Sequence, residues 1–140
     1  MHDRIESLKK LCERYGIAIL YAFGSRAKEV AAWTEGRISQ LSDSVSDIDI
    51  GVKMTGSMFS IRQKVELASA LEDLFGCRRV DLVVLDEADP FLAFEIIRGE
   101  RLYAIDDVEA DEYDLYVMRR AGDLLPLERE RAGLVLGEKR

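Results

Sequence analysis

One histidine, two cysteines, two prolines and one tryptophan are all that the 140 residues hold of these types. The lone histidine, His2, sits at the terminus. A Ser-His-Asp triad or a His-ligated zinc site would need this one frayed residue, so neither chemistry is expected. Two cysteines cannot build a four-cysteine zinc site in one chain. Cys12 and Cys77 stand in helical or helix-end contexts and read as buried thiols of a reduced, cytosolic protein. No run approaches about 20 apolar residues, and no apolar signal core follows Met1-His2-Asp3-Arg4. Neither a membrane span nor a secretory leader is expected, and the expected location is cytoplasmic. Basic residues are in deficit, 20 against 27 acidic, for a net charge of −7. A direct nucleic-acid binder would need a basic stripe and is not expected. A nucleotide substrate stays open, because local cations decide that. Repeats and low-complexity segments are also missing.

What is present fits one folded domain. Apolar residues make up 48% of the chain, enough for a single core at this length. The chain is organised around Tyr21-Ala22-Phe23-Gly24-Ser25-Arg26, an apolar run stopped by Gly-Ser, and Ser46-Asp47-Ile48-Asp49-Ile50-Gly51-Val52, a strand-like alternation. Strand side chains alternate faces, so Asp47 and Asp49 point one way and Ile48, Ile50 and Val52 the other. Two adjacent carboxylates repel by roughly 4 kcal/mol at ~4 Å and an effective dielectric of ~20. A cation offsets such repulsion, and clustered oxygen ligands suit Mg²⁺. The Gly-Ser turn leaves backbone N–H groups at the start of the next helix, a cradle for phosphate. Together these point to nucleotide chemistry.

At Gly24-Ser25 and Asp47-Ile48-Asp49 the sequence resembles the nucleotidyltransferase superfamily of DNA polymerase beta, in particular its small bacterial MNT members. The family's third carboxylate comes from a later strand, a place matched here by Asp81 in Arg79-Val80-Asp81-Leu82-Val83-Val84-Leu85. The resemblance runs from about Ile17 to Tyr103. It implies an α/β polymerase beta-like fold: a small mixed sheet flanked by helices, with a C-terminal helical arm. The expected division is a core over 1–106 and a helical extension of the same domain over 107–140.

The spacer from Arg26 to Ser46 is roughly twice as long as in the small family members, and Lys28 and Glu29 replace a glycine often found there. Residues 34–46, rich in Ser, Thr and Gly, read as an inserted loop, either a lid or a partner surface.

Taken in order, Asp3 to Tyr15 has helical periodicity at Ile5, Leu8, Leu11, Cys12 and Tyr15, with Gly16 as terminator. Ile17 to Phe23 is a buried strand, and Arg26 to Trp33 a helix. Arg26 is a candidate phosphate contact; a solvated helix-start arginine is the other reading. Asp47 to Lys53 is the second strand. Ser57 or Ser60 caps a helix running to Phe75, with Ile61, Val65, Ala68, Leu71 and Phe75 as its apolar stripe and Gly76 as its stop. Arg79 to Leu85 is the third strand. Its Asp81 is costly to bury without a partner; an edge-strand position facing water is the alternative. Asp89-Pro90 starts a helix that ends at Gly99, and Arg101 to Ile105 is a short strand. A charged helix follows from Val108 to about Leu125, with Tyr113, Tyr116, Val117 and Leu124 on one side. Pro126 is expected to break it, leaving a short helix and frayed end over 127–140. An ordinary packed helix is the first reading of this arm, and dimer or partner contacts, if the chain makes them, are placed here.

The resemblance implies nucleotidyl transfer from a nucleoside triphosphate, ATP above others, to a hydroxyl. Asp47, Asp49 and Asp81 would be catalytic residues and ligands of Mg²⁺, while Gly24, Ser25 and Arg26 would hold phosphates. Small MNT proteins are typically antitoxins that attach adenylate to a tyrosine of a HEPN ribonuclease toxin. With His2 as the only histidine, the toxin's own arginine–histidine motif is absent, so in such a pair this chain would be the transferase. Two alternatives stand beside this: an aminoglycoside-type small-molecule transferase, and a non-catalytic antitoxin that covers its partner.

Overall fold

The computed structural model describes residues 2–42, 46–56 and 59–135. Five helices and four strands alternate along it: α1 (His2–Tyr15), β1 (Ile17–Phe23), α2 (Ala27–Thr34), β2 (Ile48–Met54), α3 (Ile61–Phe75), β3 (Val80–Val84), α4 (Pro90–Ile97), β4 (Glu100–Ala104) and α5 (Asp107–Val135). The strands form one mixed sheet in the order β3-β2-β1-β4. β1 pairs antiparallel with both β2 and β4, and β2 pairs parallel with β3. A parallel pair needs a crossover, and α3 supplies it. β1 is flanked on both sides and covered on both faces, which is why its seven residues are apolar without alternation.

Helices lie on both faces of the sheet. On one face Leu20 and Ala22 of β1, with Ile48, Ile50 and Val52 of β2, pack against Leu8, Cys12, Val30, Leu67, Leu71 and Phe75. On the other, Ile19 and Tyr21 meet Ala93, Ile96 and Ile97 of α4 and Ala110 and Val117 of α5. The alternation along β2 therefore turns Asp49, Gly51 and Lys53 toward the α4 face. Gly51 is glycine because α4 crosses β2 there, and an added Cβ would run into Ile96.

Local signals set most boundaries. Gly16 and Gly76 end α1 and α3 with φ of +69° and +67°. Ser60 caps α3 through a capping box: its Oγ accepts from the Gln63 N–H, and Gln63 Oε1 accepts from the Ser60 N–H. The other capping candidate, Ser57, lies outside the described residues. Asp89 caps α4, accepting from Phe91 and Leu92, with Pro90 at the first helical position.

Several expectations need correction. The buried stripe of α3 is Leu67, Leu71 and Phe75, while Ile61 and Val65 are exposed. α3 carries enough apolar residues for two phases, and contact with α1 and the sheet selects the second. α2 extends through Thr34, whose buried hydroxyl donates to the Val30 carbonyl at 2.8 Å. β3 closes at Val84, and Leu85 begins a short 3₁₀ turn. α5 continues past Pro126 to Val135. A proline removes one helical donor and strains one turn, at about 3 kcal/mol; the turns on either side keep their own bonds. Tyr116, assigned to the packed side of α5, is exposed. Cys12 is fully buried and Cys77 half-buried, and both thiols are free. Among the described residues no helix is long and apolar enough to cross a membrane.

The inserted segment is fastened at its described residues. Arg4, stacked 4.4 Å from the Trp33 ring centroid, donates to the carbonyls of Trp33, Ile38 and Ser39. Ile38 and Leu41 pack against the core.

Candidate active site

β1 ends in a turn at Gly24, where φ is +77°. This conformation favours glycine, and space requires it as well: a Cβ on Gly24 would collide with the carboxylate of Asp49. The sheet register explains the closeness. Phe23 of β1 lies opposite Asp49 of β2, and Asp49 lies opposite Asp81 of β3. Three adjacent strands thus bring the glycine turn, Asp49 and Asp81 into one row. Asp49 is half-buried, and Asp81 is exposed on an edge strand. The edge position removes the burial cost expected for Asp81, yet its parallel pairing keeps it beside Asp49.

The carboxyl pKa of Asp49 is raised, first by burial and then by the negative charges of Asp81 and Asp47. Asp47 itself stands one residue before β2. It forms an ion pair with Arg79 at 3.6 Å, the arginine being largely exposed. The same parallel register carries Asp47 opposite Arg79, since the Ile48 N–H donates to the Arg79 carbonyl at 3.2 Å. Among the described residues, no three acidic, histidine or cysteine side chains converge into a metal-holding group. The structure therefore brings Asp49 and Asp81 together and turns Asp47 toward Arg79. The donors at hand are carboxylate oxygens with like charges pressed close, a set that fits a hard divalent cation.

Ser25 is exposed in the turn. The N-terminus of α2 has no side-chain cap, so the helix start beyond Gly24-Ser25 keeps the character of an anion cradle. Arg26, read as a phosphate contact or a solvated helix-start arginine, is buried in the structure and paired within the protein. It is only 7% exposed. Its Nε pairs with Glu29 at 3.0 Å, Nη1 donates to the Ser46 carbonyl at 2.9 Å, and Nη2 donates to the Ser42 carbonyl at 3.0 Å. Glu29 also accepts from the Ser42 N–H, and hydrogen bonding from Arg26 draws its pKa from 4.5 down to about 2. Arg26 thus holds Ser42 and Ser46 of the spacer to the start of α2, and Ser46 is adjacent to Asp47.

Glu29 and Arg79 escaped the reading of the sequence. Glu29 lies one helical turn after Arg26, a spacing that permits an ion pair. Arg79 stands two residues before Asp81, as Asp47 stands before Asp49; pairing the two strands in register would have matched them.

The family model described as "Polymerase beta, Nucleotidyltransferase" matches residues 6–108, a span that includes Gly24, Asp47, Asp49 and Asp81. Among solved structures, the chain is similar to a chain of the complex described as tri-AMPylated Shewanella oneidensis HEPN toxin in complex with MNT antitoxin. The identity is 19%, over 95% of this chain and 96% of that one, with a TM-score of 0.68. A toxin–antitoxin MntA–HepT structure matches at 18% identity over 97% and 99% of the two chains, TM-score 0.68. A toxin–antitoxin structure with AMP-PNP matches at 22% identity over 94% of each, TM-score 0.62. At these identities the likeness is one of fold. No curated protein matches the chain. The family match covers well over half of the chain and the whole row of site residues: this chain belongs to the polymerase beta nucleotidyltransferase family.

Proposed function

We infer that this protein is a Mg²⁺-dependent nucleotidyltransferase that moves AMP from ATP to a hydroxyl, the acceptor being a tyrosine of a HEPN toxin that it silences. The observation carrying the reading is the row of Gly24, Asp49 and Asp81 across three paired strands. The acceptor class is supported by similar solved structures, one with an AMPylated HEPN toxin and one with AMP-PNP.

Asp49 and Asp81, joined by Asp47 on release from Arg79, would hold Mg²⁺, which when bound neutralises phosphate charge and lowers the pKa of the attacking hydroxyl. The chain's own groups do the positioning. The Gly24-Ser25 turn and the start of α2 receive the terminal phosphates through backbone N–H groups and the Ser25 hydroxyl. Asp81, exposed and aligned with Asp49, accepts the acceptor's proton. The acceptor oxygen forms its bond to the α-phosphorus as the bond to pyrophosphate breaks. Catalysis on this reading is mainly orientation and charge complementarity.

The Asp47–Arg79 pair favours a second reading, a protein that binds its partner without transferring anything. Thermal stabilisation by ATP separates the two. A transferase melts higher with ATP and Mg²⁺ than with either alone, as a ligand bound only to the folded state must raise stability, and Asp49→Asn abolishes the increment. No increment in the parent protein would leave partner covering as the function.

A further inference from the structure

α5 carries two apolar stripes, and the fold uses one. Ala110 and Val117 are buried against the sheet and α4, Ala121 one turn further on is also buried, and Asp114 on the same side receives bonds from Tyr21 and Arg101. A second stripe runs along the outward flank. Val108, Leu115, Met118 and Leu125 are 67%, 49%, 45% and 39% exposed. Their spacing of seven, three and seven residues is that of a helix-packing seam. Asp111 and Gly122 complete the seam, and a Cβ on Gly122 would meet nothing within 4 Å. From Val108 to Leu125 the stripe is about 26 Å long.

The charges beside this seam identify what fits it. Asp107, Glu109, Asp111 and Glu112 crowd the first two turns, whereas Arg119 and Arg120 follow two turns later. Glu112 and Arg119 occupy the same rim of the seam, seven residues apart. A parallel copy of the helix would set acid against acid. An antiparallel copy sets each Glu112 against Arg119 of the other molecule.

We propose that a second copy of this chain docks here, α5 against α5 in antiparallel orientation, about a twofold axis at the level of Tyr116 and Val117. In that register Leu115 of each copy faces Met118 of the other, and Val108 faces Leu125. Asp111 faces the room left by Gly122, keeping its bond to Arg101. The Glu112–Arg119 pair forms twice. The contact is isologous, so assembly closes at a dimer. It draws only on α5 and stands apart from the transferase reading.

Sedimentation equilibrium of the full chain over a range of concentrations tests it. A monomer–dimer equilibrium is expected, with Leu115→Glu raising the dissociation constant at least about tenfold and leaving circular dichroism and the melting temperature of the monomer unchanged. Glu112→Arg and Arg119→Glu should each weaken the dimer, and the double exchange should restore it. A monomer at every concentration overturns the proposal, as does a dimer indifferent to Leu115→Glu. Charge variants whose combination fails to recover also overturn it. If Leu115→Glu instead abolishes binding of a HEPN protein to an otherwise monomeric chain, the stripe belongs to that partner and the self-docking is refuted.

Discussion

Asp49 carries the electrostatic tension of the site, and its titration makes that measurable. Its raised pKa means that the charged form is the disfavoured one in the fold. At a pH below the ordinary value of 3.8 the group is protonated in folded and unfolded chains alike and costs nothing. As pH rises, the unfolded chain ionises first, and stability falls until the raised pKa is passed; the penalty then stays. Asp49→Asn should therefore melt higher than the parent at neutral pH, with the gain vanishing in acid, while transfer falls on the order of 100-fold or more. Melting curves of both proteins at acid and neutral pH check the sign; equal curves throughout would deny the crowding of charge. Glu29 runs the other way. Its pKa of about 2 makes the Arg26 link a contribution present above the ordinary 4.5 and lost as pH falls toward 2. Glu29→Gln should show no such acid loss. Gly24→Ala meets both a positive φ and the Asp49 carboxylate, and should cost about 1–3 kcal/mol in urea unfolding. At this scale the sequence was readable where alternation alone decides orientation, as for Asp49 beside Ile48 and Ile50. Asp47's partner was not readable, because it depends on how β2 and β3 align.

Elements whose ends are fixed by local chemistry were legible. β1 is delimited by Gly16 and Gly24, and α4 by Asp89-Pro90, since glycine at positive φ and an Asp–Pro start act within a few residues. Ser60 is the same kind of signal. Ser60→Ala removes an accepting oxygen from the Gln63 N–H and should cost about 1 kcal/mol, read as a lower urea midpoint with unchanged slope. Choices among alternative packings were not legible. The stripe of α3 had two admissible phases that share Leu71 and Phe75, and only the neighbours of Leu67 decide between them. The passage of α5 through Pro126 likewise depends on turns beyond the proline.

For the whole molecule, the strand order and the seating of α5 are properties of long-range contact. No local signal places β4 beside β1 on the side away from β2. α5 is locked to the sheet by a polar cluster. Tyr21 Oη donates to Asp114, and Arg101 donates to Asp114 and Asp111 at 2.9 Å each. Burial and the Asp114 bond push the Tyr21 phenol well above its ordinary range. Asp114→Ala strips a partner from two enclosed groups, Tyr21 and Arg101, whose Nε is already buried without one among the described residues. The loss should be about 2–4 kcal/mol, measured by urea unfolding, with hydrogen exchange in α5 accelerating first. An effect within about 0.5 kcal/mol would show α5 to be held by its apolar contacts alone.

In the proposed function the row of Gly24, Asp49 and Asp81 transfers a nucleotide. Intact-mass analysis of a HEPN toxin, after incubation with this protein, ATP and Mg²⁺, addresses it most directly. A gain of one or more adenylates on the HEPN protein is expected, absent with Asp49→Asn and absent without Mg²⁺. An unmodified HEPN protein, or equal modification by the Asp49→Asn variant, would contradict it.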